Sequence, residues 1–477
     1  MNAQSKLTFV LLAIVIGGLG APASTSAAGE GWVVTEIDEV HNTIPQDIIV
    51  SGDRVTWPAW DTTGSGEWDI WTWTPTEGLT QVTKNHANDY VRGVSGDRIV
   101  GNTDDGTDYE IFTWTPDQGL ELLTHNDYDD WVFGLSGERL VWIREPAGSG
   151  IELLTGTIPN IAETTIISNF SYPFAPMVSG DHVVYRDFNT TNGTWHICVW
   201  TPAGTITLDN PEYDNRYAVI SGDRVAWIGS DADSDVLFTW TQEEGITALT
   251  SGSDTWPVND NYPGISGDRV VWARYDADDS GLYFSEEIVT WTPEGGVQQV
   301  TNNENGDYGP EVSGDRIVWT GLAPGYEVFT WTPDAGVTQL TDNGVWDYHP
   351  QVSGDRVAWT QVAGSISKIL TAVPVEVAVV EQAQQIIDDY DAAIDEGTLA
   401  GSGPGQSADG RANALYNKLL AAKVNIENGD YTAALALLYD VYKLCDGSPK
   451  PDDFVEGDAR DDIAAKVSAL IALLETF

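Results

Sequence analysis

From Trp32 to about residue 375 the apolar positions come in short runs of Val, Ile, Thr and aromatic residues, cut every few positions by Gly, Asp, Asn or Pro. Runs of that length predict β-strands joined by tight turns. The pattern repeats. A Ser-Gly-Asp-Arg tetrapeptide or a near variant starts at Ser51, Ser95, Ser136, Ser179, Ser221, Ser266, Ser313 and Ser353, at spacings of 40 to 47 residues. A unit of that period built from strands and turns predicts the blade of a β-propeller.

In the seventh repeat, Pro310–Val312 reads as a first strand and Arg316–Thr320 as a second. Gly314 and Asp315 suit the hairpin turn between them: Gly accepts positive φ, and Asp can bond nearby backbone N–H groups. Glu327 to Pro333 reads as a third strand and Val337–Thr341 as a fourth. Second strands carry Trp57, Trp142, Tyr185, Trp227, Trp272, Trp319 and Trp359, with Gly101 the one break; third strands carry Trp73, Trp114, Trp200, Trp240, Trp291 and Trp331. Neighbouring blades cover both faces of a blade, so these columns predict core, each buried aromatic contributing about 2–3 kcal/mol.

The last repeat has a second strand and a third, but no fourth before the composition changes. Val33–Ile37 reads as a fourth strand without a blade of its own. Lending the N-terminal strand, 32–37, to the last blade closes the ring and removes two sheet edges. The expected fold is an all-β eight-bladed β-propeller over residues 29–375, followed by a small all-α helical bundle over 376–477. In the bundle, 377–394, 412–426, 431–444 and 458–477 carry Ala, Leu, Ile and Val at helical spacing, separated by Gly- and Pro-rich stretches.

Residues 1–28 read as a signal peptide: Lys6, then an apolar run from Leu7 to Leu19, then small residues to Ala28. No later run is long enough to span a bilayer. The expectation is an exported protein, secreted, cell-surface or periplasmic, without a membrane span in the mature chain. With 73 acids against 22 bases the net charge is −51, which repels nucleic acid and anionic lipid and makes both poor partners; no nucleic acid partner is expected. The two cysteines, Cys198 and Cys445, fall in different expected domains and make no disulfide scaffold. Cys198 stands where other repeats place Phe112, Phe238 or Phe329, which predicts a buried thiol.

The run Asp347-Tyr-His-Pro-Gln-Val-Ser-Gly-Asp-Arg-Val-Ala-Trp359 and the Glu-x-Phe-Thr-Trp-Thr-Pro strands resemble the TolB-type family of propeller repeats. They resemble more closely the propeller repeats of archaeal and bacterial cell-surface proteins. The resemblance covers about residues 32 to 375 and implies the propeller fold and a binding or assembly role. TolB has fewer blades, so its partner set does not carry over. Asn428-Gly-Asp-Tyr-Thr-Ala-Ala434, ahead of an apolar helix, resembles the FIMAH/FIVAR-type bundles of secreted proteins, which implies an interaction module.

A propeller puts its first–second and third–fourth turns on one rim and its other connections on the opposite rim. Here the first set is short and uniform and the second long and varied, so ligand sites are expected on the long-connection rim and at the channel mouth. That rim repeats an Asp-aromatic pair: Asp89-Tyr90, Asp130-Trp131, Asp307-Tyr308 and Asp347-Tyr348. The pairs read either as a ligand rim for cations or sugars or as braces of their own loops through Asp-to-backbone bonds. Asp276, Asp278, Ser280 and Glu287 have the spacing of a twelve-residue calcium loop, which makes calcium the candidate cofactor. No helices flank that loop, and Glu287 also aligns with Asp69, Glu110 and Glu327 of other repeats. His41, His86, His125 and His349 fall in four long connections at differing offsets, so their side chains need not converge on a metal. The turn Asp and Arg recur from repeat to repeat, which marks architecture and not catalysis. These features lead to the expectation of a secreted or cell-surface, non-enzymatic binding protein with a protein or glycan partner. The alternatives are a polysaccharide-active lyase or hydrolase with its site at the channel mouth, and a structural surface-coat component.

Overall fold

The structure is a computed structural model that describes residues 31–477 except 42–46, 61–65, 147–149, 160, 171–175, 192, 209–211, 232–234, 252–262, 278–283, 304, 404–405 and 449–452. The expected signal peptide, 1–28, lies outside the described residues. Eight four-stranded antiparallel sheets follow one another along the chain and form the eight-bladed propeller; four helices follow. In blade 1, Ile49–Ser51 lies innermost, then Arg54–Trp60, Trp68–Thr74 and Gly78–Gln81.

Blade 8 takes its outer strand from the start of the chain. Trp32–His41 pairs antiparallel with Ile366–Pro374, from Trp32 opposite Pro374 to His41 opposite Ile366, with a slip between Glu36 and Asp38. Val34 packs into a buried cluster with Trp359 and Leu370, and Lys368 Nζ meets Glu36 Oε2 at 2.9 Å. The strand runs four residues past the expected 32–37.

The indole columns are core. Trp57, Trp142, Trp227, Trp319 and Trp359 rank among the largest fully buried side chains. Trp319 stacks on Phe329 and Trp227 on Phe238, with ring centroids 5.8 and 5.6 Å apart. Gly101 breaks the column for a steric reason: a Cβ there would lie 2.2 Å from the Tyr90 carbonyl oxygen and 2.7 Å from the Phe112 ring.

The Ser-Gly-Asp-Arg turn stitches blade to blade. The Gly N–H of each turn donates to the Ser hydroxyl of the preceding blade, at 2.8–3.1 Å, through all eight seams. The turn glycine has left-handed backbone in every blade, as at Gly52 with φ 56° and Gly354 with φ 58°, so only glycine fits without strain. At six seams the turn Arg reaches the Asp of the next blade's turn at 2.6–3.3 Å. The same guanidinium lies over a Trp, 4.9–5.8 Å from the ring centre. The closing seam matches the internal ones: Gly52 N–H donates to Ser353, and Arg356 meets Asp53 and covers Trp73. Two seams differ. Blade 4 carries His182 in place of Arg, and Arg98 of blade 2 bonds Thr113 of its own blade.

The third strand of blade 8 ends at Pro374 and runs straight into helix α1, Val375–Asp395. Helices α2 (Gln406–Glu427), α3 (Tyr431–Lys443) and α4 (Arg460–Leu474) complete the bundle. Its core gathers Val379, Ile386, Tyr390, Leu419, Leu438 and Leu470. Asp430 caps α3 by accepting the Ala433 N–H at 3.0 Å. Blade 8 has no third–fourth turn of its own, and α1 supplies the missing acid: Glu381 pairs with Arg356, as turn residues Glu77 and Glu244 pair with Arg54 and Arg224. The bundle is therefore pinned at the short-turn rim, beside the closing seam. No helix among the described residues is long and apolar enough to cross a membrane.

Candidate functional site

The inner strands carry the residues expected at the long-connection rim, because each inner strand starts there. Asp89 and Asp307 open their strands, and Asp130 and Asp347 stand one residue further in. The structure turns all four carboxylates into the blades, where they are buried. An Asn four residues upstream donates to each: Asn85 to Asp89, Asn126 to Asp130, Asn303 to Asp307 and Asn343 to Asp347, at 2.6–3.1 Å. The second-strand indoles add to this. Trp319 Nε1 donates to Asp307 at 2.9 Å and Trp359 Nε1 to Asp347 at 2.8 Å; in blade 5 Asn215 takes the same place under Trp227. Arg144 pairs with Asp130. Burial raises the pKa of each of the four carboxyls, against the hydrogen bonds that lower it, and brings Asp347 to about 6.

The aromatic partners do gather at the rim. Tyr90, Tyr109 and Trp131 meet across the seam between blades 2 and 3, with Tyr109 and Trp131 centroids 4.2 Å apart. Tyr308, Tyr326 and Tyr348 repeat the arrangement across the seam between blades 7 and 8, with Trp346 beside them and half exposed. Tyr109 and Tyr326 escape the Asp-aromatic pattern. Each directly precedes the buried third-strand acid, as Trp68 precedes Asp69; taking the third-strand acids together with their preceding residue reveals this column.

Inner strands also line the axial channel. They form one edge of every sheet and pair only on their outer side. Most carry a bulge, between Val91 and Gly93, Val132 and Gly134, Arg216 and Val219, Tyr308 and Glu311, and Tyr348 and Gln351. In the last three the extra residue has left-handed backbone, Tyr217, Gly309 and His349, a conformation that costs a non-glycine residue about 1–2 kcal/mol. A cavity of about 460 Å³ lies against blades 8, 1, 2 and 3, lined by Ile49, Arg92, Trp131, Phe133, Gln351 and neighbouring positions. That volume falls within the range of small-ligand sites. Arg92 lies over the Tyr90 ring at 5.5 Å. Glu311 stands on the neighbouring inner strand, of blade 7, and is exposed.

Of the expected calcium loop, Asp278 and Ser280 and the side chain of Asp276 lie outside the described residues. Glu287 is buried in blade 6 and accepts the Asn303 N–H at 3.1 Å. Among the described residues the one group of three side chains able to share a metal ion is Asp105, Asp108 and Glu110, in blade 2. No histidine belongs to it. Both cysteines are buried and unpaired, with burial raising Cys198 to about 11 and Cys445 to about 12.

No family model matches the chain, and neither does any curated protein. Solved structures do. The acylaminoacyl peptidase of Pyrococcus horikoshii matches at 12% identity and a TM-score of 0.44, over 67% of this chain and 58% of that one. The β-propeller domain of the trilobed protease from Pyrococcus furiosus, described as having an open velcro topology, matches at 10% and 0.43, over 60% and 95%. A puromycin-hydrolyzing peptidase of Mycobacterium tuberculosis matches at 11% and 0.45, over 68% and 60%. The chain thus spans a little over half the length of the whole peptidases it is similar to. The expectation of a non-enzymatic binding protein finds no counterpart among these matches: the proteins named here that carry similar propellers are peptidases. At such identities the likeness extends to the fold alone.

Proposed function

We propose that this protein takes part in peptide hydrolysis, as the propeller that receives an extended peptide in its channel. The channel carries the reading. Its walls are the free edges of the inner strands, and an extended peptide can add to such an edge through main-chain hydrogen bonds, with side-chain pockets giving selectivity. The cavity beside them offers Trp131 and Phe133 as apolar contacts and Arg92 as a cation. Arg92 would attract a peptide carboxylate in a protein whose surface is otherwise strongly acidic. Arg92, Gln351 and Glu311 hold the peptide; none of them is assigned the bond-breaking step.

The test is photo-crosslinking of the mature protein with a mixture of extended peptides, read by mass spectrometry. Crosslinks at Ile49, Arg92 or Trp131–Phe133 are expected, and Arg92→Glu should cut peptide retention about tenfold, the loss of one charge-assisted contact. Crosslinks confined to the outer faces of the blades, or retention unchanged by R92E, would sink the reading. We also infer that the repeats are kin to TolB-type repeats and the bundle to FIMAH/FIVAR-type bundles. The motifs at 347–359 and 428–434 support this. Export through residues 1–28 belongs to the same proposal, and N-terminal sequencing of the secreted protein checks it.

A further inference from the structure

We propose that the cavity against blades 8, 1, 2 and 3 is a carboxylate site: Arg92 takes the acid, and the apolar lining takes the side chain next to it. Its ligand is a peptide or small molecule whose free carboxylate follows an apolar group. This site rests on the peptide reading above where the acid is a peptide C-terminus, and narrows that reading to free C-termini.

The repeat itself points to the cavity. Three positions before the turn Ser stand Pro176, Pro263, Pro310 and Pro350 in blades 4, 6, 7 and 8, and Ala218 in blade 5. Blades 1, 2 and 3 break this column with Ile48, Arg92 and Phe133. The three breaks are adjacent around the ring, and all three residues line the cavity. In blades 2 and 3 the residue is also the extra one of the bulge, where the register passes from Val91 to Gly93 and from Val132 to Gly134. A bulge re-aims a side chain out of the alternation of its strand, and here it delivers Arg92 and Phe133 to the same space.

Arg92 supplies the second observation. Every other arginine of the chain donates a side-chain hydrogen bond to a described residue. Arg92 donates none; it is partly buried and lies over the Tyr90 ring, 5.5 Å from its centre. In a chain with 73 acids against 22 bases, a guanidinium at a cavity with no carboxylate on it is the exception. Asp47, the one acid in the described lining, is exposed and makes no ion pair with it. The planar fork of the guanidinium matches a carboxylate through two parallel N–H···O bonds. Beside it the lining is mostly apolar, with Ile48 and Val132 buried and Trp131 and Phe133 partly so. A polar side chain next to the carboxylate would give up its water there without a partner.

Isothermal titration of the full mature protein, in about 150 mM salt to screen the acidic surface, tests this with four probes: N-acetyl-Ala-Ala-Phe as the free acid, its C-terminal amide, N-acetyl-Ala-Ala-Lys as the free acid, and 3-phenylpropionate. The Phe acid should bind at least about tenfold tighter than its amide, the worth of one charge-assisted contact, and tighter than the Lys acid. Arg92→Gln should bring the Phe acid down to the level of the amide and leave the amide unchanged; with no bond to the protein to lose, this variant should keep the parent circular dichroism. Phe133→Ala should weaken acid and amide alike. Equal binding of acid and amide, untouched by R92Q, would overturn the carboxylate site while leaving a channel that takes peptides. Binding of 3-phenylpropionate through Arg92, with neither Phe peptide bound, would keep the site and remove the peptide reading. No binding of any probe would overturn the site.

Discussion

At the short-turn rim the same atoms make nearly every seam: a Gly N–H on a Ser hydroxyl, an Arg on an Asp, a guanidinium over an indole. At the long-connection rim the blades diverge. Two seams carry aromatic clusters, one turn gathers three acids, and left-handed residues appear in three inner strands. The first rim has to close a circle, and a circle of eight tolerates little variation in the angle between sectors. The second rim bears no such constraint once the first has fixed the geometry. Repetition therefore marks what holds the wheel together, and departure from repetition marks where a ligand can be met.

The sharpest way to break this contrast is to truncate one indole on each side of it. Trp359→Ala should cost about 3–5 kcal/mol, since it empties a fully buried site and leaves Asp347 without its indole donor. Trp346→Ala, on the exposed rim cluster, should move stability by no more than about 0.5 kcal/mol. Urea unfolding of both variants gives the comparison; similar losses would mean that the indole column is not the core. A smaller effect tests the clamp. Arg224 is buried, reaches Glu244 and Asp268, and covers Trp291. Its acidic partners are largely solvated, so Arg224→Met should cost only about 1–2 kcal/mol. Arg98→Met, at a seam with no such clamp, should cost less than about 0.5 kcal/mol. The ranking is what matters: an Arg98 variant as damaged as the Arg224 variant removes the inter-blade role of the motif. Ser353→Ala comes next, at about 1 kcal/mol for one hydrogen bond. Ser313→Ala, at an internal seam, should match it if the closing seam is equivalent to the others.

The wheel was legible because its signals are repeated eight times over. The Ser-Gly-Asp-Arg period, the Trp columns and the orphan strand at Val33–Ile37 each point to the same architecture, including the closure by the chain's own start. The candidate site was legible only in part. Asp and aromatic residues alternate along an inner strand, so strand geometry alone separates them: Asp347 turns inward to Trp359 while Tyr348 joins the rim cluster. Sequence spacing held the pair together as one unit. The acid group at Asp105, Asp108 and Glu110 was hidden for a different reason. It joins a turn to the start of a strand, and Glu110 falls in the column of third-strand acids, which by itself accounts for its place in the repeat. Glu381 was out of reach altogether, since its partner Arg356 lies in another domain and no local pattern links them.

Acid titration sharpens the comparison at its finest grain, because the rim carboxylates are buried. The folded-state pKa of Asp347 is raised from 3.8 to about 6, and those of Asp89, Asp130 and Asp307 are also raised, in each case chiefly by burial. A carboxyl that binds its proton more tightly when folded contributes stability below its unfolded pKa and loses it as pH rises through the folded value. Stability should therefore increase as pH falls from 7 to 5, by roughly 1 kcal/mol for Asp347 alone. His349 opposes the trend: burial lowers its pKa, so it favours the folded state only while neutral. Thermal melts of the parent protein, Asp347→Asn and His349→Asn across this range separate the two. Asp347→Asn copies the Asn215 already present under Trp227, so it should fold and should flatten the rise, whereas His349→Asn should steepen it. A parent protein that loses stability steadily from pH 7 to pH 5, with no response to either substitution, would mean that these carboxylates are solvated and that the two rims do not differ in the way their burial implies.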